Sequence, residues 1–129
     1  MNVQGFSHVT LNVSNLEKSL QFYEGILNMK VRHKGTRDVY LEWGAAWVCL
    51  QERPEKEKPG DCLGVDHIAF FIEEGDFHEA AALLQKKKIP IVRGPIIRGS
   101  GWTVNFLDPD GNQLELYTAT LDQRLKTWK

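Results

Sequence analysis

A chain of 129 residues with 16 Lys and Arg, 17 Asp and Glu and a formal net charge of −1 has the size of a single globular domain, able to bury about two thirds of its unfolded surface. That balance excludes a global electrostatic drive toward nucleic acid or an acidic membrane, and no apolar run approaches the ~20 residues a membrane helix needs. The first residues show no charged segment followed by an apolar one, so no secretory signal is read and a cytoplasmic location is expected.

Residues 6–13 alternate as a strand and stop at Ser14 and Asn15, either of which can cap a helix. Leu16, Leu20, Tyr23 and Leu27 recur at helical spacing and predict a helix from Leu16 to Leu27. Met29 to His33, Asp38 to Trp43 and Ala46 to Gln51 read as strands, the first two joined by a Lys34-Gly35-Thr36 turn. Glu52 to Gly60 is dense in charge of alternating sign and holds two prolines, the composition of a solvated linker. A second set follows. His67 to Ile72 predicts a strand, Asp76 to Lys88 a helix, and Ile89 to Val92 and Trp102 to Leu107 further strands. Residues from Pro95 to Asn105 read largely as a loop. Asp108-Pro109-Asp110-Gly111 is a turn before a returning strand, Gln113 to Thr118, and Leu121 to Trp128 predicts a short helix with Leu121 and Leu125 on one face.

One pattern is therefore written twice. Gly5-Phe6-Ser7-His8 and Gly64-Val65-Asp66-His67 each place an imidazole three residues after a glycine, on an apolar alternating background. The expected fold class is α+β, two tandem βαβββ modules at about 4–52 and 63–129, with a linker at 53–62. A lone histidine on such a background is usually a satisfied core residue. Matched histidines in a repeat, together with Glu115 between Leu114 and Leu116, form a ligand set for a catalytic divalent metal with open positions. His33 and His78 lack that context and read as surface residues. Cys49 and Cys62 are too few for a disulfide scaffold and match no zinc motif. Cys49 reads as a small buried apolar residue, and Cys62 as a loop residue.

Several stretches give a family likeness: His8-Val9-Thr10-Leu11, Leu16-Glu17-Lys18-Ser19 through Tyr23, Tyr40-Leu41-Glu42 leading to Trp47-Val48-Cys49-Leu50, Phe106-Leu107-Asp108-Pro109-Asp110-Gly111, and Thr120-Leu121-Asp122-Gln123-Arg124-Leu125. With the doubled module they resemble the vicinal oxygen chelate superfamily, which includes glyoxalase I, extradiol dioxygenases and bleomycin-binding proteins. Within it the chain is most similar to the fosfomycin-resistance enzymes. The resemblance implies a homodimer whose modules pair across chains, so that a site takes His8 from one subunit and His67 and Glu115 from the other. It implies Mn(II) as the metal, with Fe(II), Ni(II), Zn(II) or Mg(II) chemically compatible, and opening of a small epoxide-bearing phosphonate by a thiol co-substrate or by water.

Residue by residue, the resemblance places Thr10 near the epoxide oxygen, where the bland reading is a strand threonine. Tyr40 and Trp47 become aromatic walls, or plain core. Arg124 becomes a phosphonate-binding guanidinium, suited to paired charge-assisted bonds, or a surface arginine. Asp38 falls where hydrolase-type relatives carry a base, and reads otherwise as a strand-edge surface residue. Thr103 keeps a hydroxyl of the substrate-binding loop. Asn105 stands where a tyrosine is usual and Pro95 where a lysine is expected, so potassium dependence and fosfomycin itself stay open. Thiol transfer is the leading expectation, with water and Asp38 as its alternative. A glyoxalase-like isomerase or dioxygenase and a non-catalytic, drug-sequestering dimer are the remaining rivals. No nucleic-acid or membrane partner is expected.

Overall fold

In a computed structural model the described residues are 1–127. Elements follow in the order β1 (Val9–Val13), α1 (Leu16–Leu20), a π-helical turn (Gln21–Ile26), β2 (Lys30–Lys34), β3 (Asp38–Trp43), β4 (Ala46–Glu52), β5 (Ile68–Phe71), α2 (Glu74–Lys86), β6 (Ile91–Arg98), β7 (Gly101–Leu107), β8 (Gln113–Tyr117) and α3 (Leu121–Thr127). Trp128, the expected end of the last helix, lies outside the described residues. Two compact units divide the chain, Met1–Lys58 and Pro59–Lys129. Each holds a four-stranded sheet, ordered β1-β4-β3-β2 in the first and β5-β8-β7-β6 in the second. In each, the outer pair β1-β4 or β5-β8 is parallel and the other pairs are antiparallel. The fold is thus α+β, one topology used twice. No helix among the described residues is long and apolar enough to cross a membrane.

Strand alternation divides each sheet into a buried face and a chemical face. In the first unit Val13, Val39, Leu41, Val48 and Leu50 are buried, together with Leu16 and Leu20 of α1. Asn15 caps α1, its side-chain oxygen accepting from the Lys18 amide at 3.0 Å. The expected helix to Leu27 widens after Leu20, where the Leu27 amide bonds back to the Phe22 carbonyl at 2.9 Å. Consecutive Phe22 and Tyr23 are both buried in this i→i+5 turn, at 3% and 0% exposure. Glu52 belongs to β4 rather than to the expected linker. Its carboxylate accepts from the Leu16 amide at 2.9 Å and so meets the positive end of α1.

In the second unit Phe77, Ala81 and Leu84 of α2 are buried with Val104 and Phe106 of β7 and Leu114 and Leu116 of β8. The turn before β8 is held by Asp108, which accepts from the Asp110 amide at 2.9 Å and the Asn112 amide at 2.8 Å. That sets the β7–β8 register, with Asn105 opposite Glu115. The region from Pro95 onward is not a loop. β6 runs through it to Arg98 and turns back at Gly99-Ser100 into β7. Gly94 and Pro95, residue types that interrupt strand pairing, are absorbed in a register shift between Arg93 and Ile96.

Candidate functional site

On β8 the side chains of Glu115 and Tyr117 share one face, and register extends that face across the sheet. Arg93 pairs with Asn105, Asn105 with Glu115, and Glu115 with Ala69, two residues beyond His67. One step along, Ile96, Thr103, Tyr117 and Phe71 form a parallel row. A cavity of about 230 Å³ opens on this face, and His67, Glu115, Thr103 and Arg124, all expected from sequence, line it. His67 Nε2 stands 4.0 Å from Glu115 Oε1, and His67 Nδ1 stands 2.7 Å from Asp66 Oδ2. Glu115 is nearly buried, at 9% exposure, a position where a carboxylate is costly without a countercharge.

Three further residues line the cavity: Arg93, Arg98 and Tyr117. The Tyr117 hydroxyl donates to the Arg98 carbonyl at 2.8 Å and accepts from Arg124 Nη1 at 3.4 Å, tying the end of β6 to α3. Arg124 reaches this place from a helix with a capping box, in which the Thr120 amide donates to Gln123 Oε1 at 2.8 Å and the Gln123 amide to Thr120 Oγ1 at 3.3 Å. The guanidinium crosses Gly99, where a Cβ would lie 2.8 Å from both Arg124 Cδ and Nη1. Asn105 is not among the lining residues. It is fully buried beneath them and accepts from Thr103 Oγ1 at 3.3 Å. Asn105 Nδ2 and Arg93 Nε are both buried donors with no partner among the described residues, on one cross-strand row. Buried donors of that kind call for an acceptor.

The first unit repeats that arrangement of faces. Thr10 pairs with Cys49 and Cys49 with Tyr40, while Asn12, Gln51 and Asp38 form the next row. His8 stacks on Trp47, ring centroids 4.3 Å apart, and Trp47 meets Tyr40 edge-on at 5.9 Å. Tyr40 and Trp47 are 38% and 42% exposed, so they are surface aromatics and not core. Asp38 is half-buried at the start of β3 and lies over Gly35, where a Cβ would collide with Oδ1. Neither histidine is mid-strand as expected from sequence: β1 begins at Val9 and β5 at Ile68, so each imidazole sits at a strand mouth. His33 and His78 are exposed.

Cys49 is buried and Cys62 exposed, both as free thiols. The repeat puts Cys49 beside Thr10 where the second unit puts Glu115 beside Ala69. Burial pushes the Cys49 thiol up from its ordinary pKa. A hydrogen bond with Thr10 opposes that, and the Asp38 charge adds to it. A raised acid stays protonated to higher pH, so Cys49 is a poor nucleophile at neutral pH. Iodoacetamide is expected to modify Cys62 first, with Cys49 at least roughly 10-fold slower in the folded protein. Peptide mass mapping showing equal rates would contradict this placement.

A metal can be tested against these donors. Bonds of about 2.1 Å from His67 Nε2 and Glu115 Oε1 to one ion can span their present separation, and nitrogen with carboxylate oxygen suits a first-row divalent ion. Among the described residues no three His, Cys, Asp or Glu side chains group closely enough to hold a metal ion.

Comparison with known proteins agrees with the doubled topology. Residues 5–116 match the family model of the Glyoxalase/Bleomycin resistance protein/Dioxygenase superfamily. The chain belongs to that superfamily. It is 33% identical over 129 residues to a metallothiol transferase FosB of Staphylococcus saprophyticus, covering 98% of this chain and 85% of the relative. It is 32% identical over 124 residues to a glutathione transferase FosA of Serratia marcescens, covering 95% and 86%. A variant of the fosfomycin resistance protein FosX of Listeria monocytogenes, complexed with Mn(II) and 1S,2S-dihydroxypropylphosphonic acid, superposes with a TM-score of 0.79. It is 28% identical, with 97% of this chain and 98% of that one covered. The first two relatives are thus thiol transferases by name, and the third is a fosfomycin resistance protein. Of the residues lining the cavity, His67, Thr103, Glu115 and Arg124 are legible in the sequence. Arg93, Arg98 and Tyr117 are not, for their only local signal is their recurrence near the ends of β6 and β8.

Proposed function

We propose that this protein opens the ring of a small epoxide carrying a phosphonate, fosfomycin or a close analogue, by addition of a thiol. The observation that carries the reading is the gathering of Arg93, Arg98 and Arg124 around His67 and Glu115 in one cavity of about 230 Å³. Three arginines and one glutamate line this cavity, an excess of positive charge that favours a small, multiply charged oxyanion, and guanidinium forks match phosphonate oxygens. The phosphonate held by the Listeria protein supports the same substrate class, and the names of the transferase relatives support a thiol as co-substrate.

His67 and Glu115 of one subunit and His8 of its partner would hold the metal, Mn(II) by analogy with the Listeria relative. When bound, such an ion supplies Lewis-acid polarisation of the substrate's oxygens and a template for its orientation. The protein's own groups do the rest. Arg93 and Arg124 bind and orient the phosphonate, and the buried Asn105 and Thr103 support that wall. Thr10 stands at the first-unit face to hydrogen-bond the epoxide oxygen, while Tyr40 and Trp47 exclude water from the carbon skeleton. The sulfur forms a bond to one ring carbon as that carbon's bond to oxygen breaks, and the thiol proton ends on the released oxygen. Cys49, kept protonated, takes no part.

With fosfomycin as substrate, turnover is expected only when glutathione, cysteine or a bacillithiol-like thiol is present, and Asp38→Asn is expected to be nearly silent. Product mass decides. Diol as the sole product with thiol in excess would sink thiol transfer. The water reading has two observations of its own: Asp38 shares the Thr10 face, and the Listeria relative is complexed with a diol. If it holds, Asp38→Asn costs roughly 10²–10⁴ in rate, the range for a lost general base. Metal bound without turnover of any epoxide would favour a glyoxalase-like or dioxygenase reaction, and drug binding without metal a sequestering protein.

The homodimer is part of the same proposal. Subunits carrying His8→Ala and Glu115→Ala are each expected to be inactive alone. After subunit exchange, half the dimers are mixed and each holds one intact shared site, so activity should recover to roughly a quarter of wild type. No recovery, with exchange verified by native mass spectrometry, would place all ligands of a site in one chain.

A further inference from the structure

We propose that Asp66 positions His67 as the preorganised metal ligand, so that the second unit carries the half of the site that is set before the metal arrives. The inference rests on the metal reading above and concerns a residue outside the ligand set. Asp66 Oδ2 stands 2.7 Å from His67 Nδ1, within the range of charge-assisted hydrogen bonds. An ionised carboxylate offers only lone pairs, so the proton of this bond belongs to Nδ1. A neutral imidazole with its proton on Nδ1 keeps its lone pair on Nε2. That is the nitrogen facing Glu115 Oε1 across 4.0 Å. Asp66 therefore selects the tautomer that a metal needs and holds the ring so that Nε2 points at the other ligand.

The repeat supplies the contrast. The residue before His8 is Ser7, whose Oγ lies 2.9 Å from His8 Nδ1. A hydroxyl both donates and accepts, so it accommodates either tautomer and selects neither. His8 is held instead by its stack on Trp47. The same sequence position thus carries a tautomer-setting carboxylate in one module and an indifferent hydroxyl in the other. Asp66 is 85% exposed. Water competes for its bond, which sets the expected effect at the lower end of the range for outer-shell partners of metal ligands.

Two measurements on the full-length protein test this. In the first, Mn(II) affinity is read by competition with a fluorescent chelator. Asp66→Ala is expected to weaken binding about 10-fold. Asp66→Asn, which keeps an accepting oxygen, should recover most of that loss, and Ser7→Ala should stay within about 2-fold of wild type. In the second, long-range proton–nitrogen NMR on metal-free protein in mildly alkaline buffer reads which ring nitrogen carries the proton. Wild-type His67 should show it on Nδ1, and Asp66→Ala should shift the ring toward the Nε2-protonated form. A wild-type His67 already protonated on Nε2, an Asp66→Ala protein binding Mn(II) as tightly as wild type, or an equal loss in Ser7→Ala would each overturn the proposal. If wild type binds no Mn(II) at all, the metal reading fails, while the nitrogen spectrum still decides whether Asp66 sets the tautomer.

Discussion

If the proposed metal site holds, wild type should retain about one divalent ion per chain, and Glu115→Ala and His67→Ala are each expected to purify without it and to lose at least roughly 10³ of epoxide-opening rate. The size follows from the donor set. A catalytic site of this kind uses about three protein ligands, so removing one leaves too few to hold the ion against water. The two variants should differ in stability. Glu115 is nearly buried, and its removal also deletes an expensive carboxylate, so Glu115→Ala should melt close to metal-free wild type. Elemental analysis by plasma mass spectrometry is the deciding measurement. Undiminished metal in either variant would end the ligand assignment, whatever the activity shows. Arg93→Ala, by contrast, should leave metal content unchanged while raising KM for the phosphonate, because it removes an oxyanion contact and no ligand.

Gly94→Ala is expected to destabilise the fold by about 2–4 kcal/mol, which lowers Tm by about 10 °C in a chain of this length. Gly94 sits at φ +87°, in the left-handed half of backbone space that a side chain disfavours. A Cβ there would also strike the Thr103 carbonyl oxygen and come within 3.1 Å of the Ile96 nitrogen and 3.2 Å of Val104 Cα. These are backbone atoms of the adjoining strand pair and cannot swing aside. The residue lies in the register shift that sets Arg93 opposite Asn105 and Ile96 opposite Thr103, so strain here would be felt directly at the cavity. A thermal melt monitored by circular dichroism tests it. A midpoint within about 2 °C of wild type would show that β6 can relax around the new methyl group, contrary to this packing argument.

Much of this architecture is legible from residue order. The alternating runs around Val13, Leu41, Leu50, Val104 and Leu116 mark strands buried on one side, because strand side chains alternate faces whatever their neighbours are. Asn15 announces the start of α1, and the Asp108 turn announces the hairpin that delivers Glu115. The recurrence of glycine, two residues and histidine exposes the duplication, and with it His8 and His67. Other expectations need correction. A helix to Leu27 ignores the π-helical turn that buries Phe22 beside Tyr23, and such a turn leaves no mark in a 3.6-residue period. The stretch from Pro95 is largely strand and not the loop expected, because β6 resumes its pairing with β7 beyond Gly94 and Pro95. In the sheet, the missing ladder bonds of one short segment cost less than the pairing they allow on either side.

What the sequence by itself determined is local: strand and helix periods, caps, the repeat, and the chemical kinds of the ligands. What only the tertiary structure decided is convergence. Arg93 and Arg98 come from β6, Tyr117 from β8 and Arg124 from α3, with the whole of β7 between the first pair and the others. Their meeting depends on cross-strand register and on the two register shifts in the β6–β7 pairing. Register is a property of paired strands and is set by the turn held at Asp108 and the close backbone approach at Gly94. A one-residue slip would have turned Glu115 into the apolar layer and Leu116 toward the cavity, with the same amino acids in the same order.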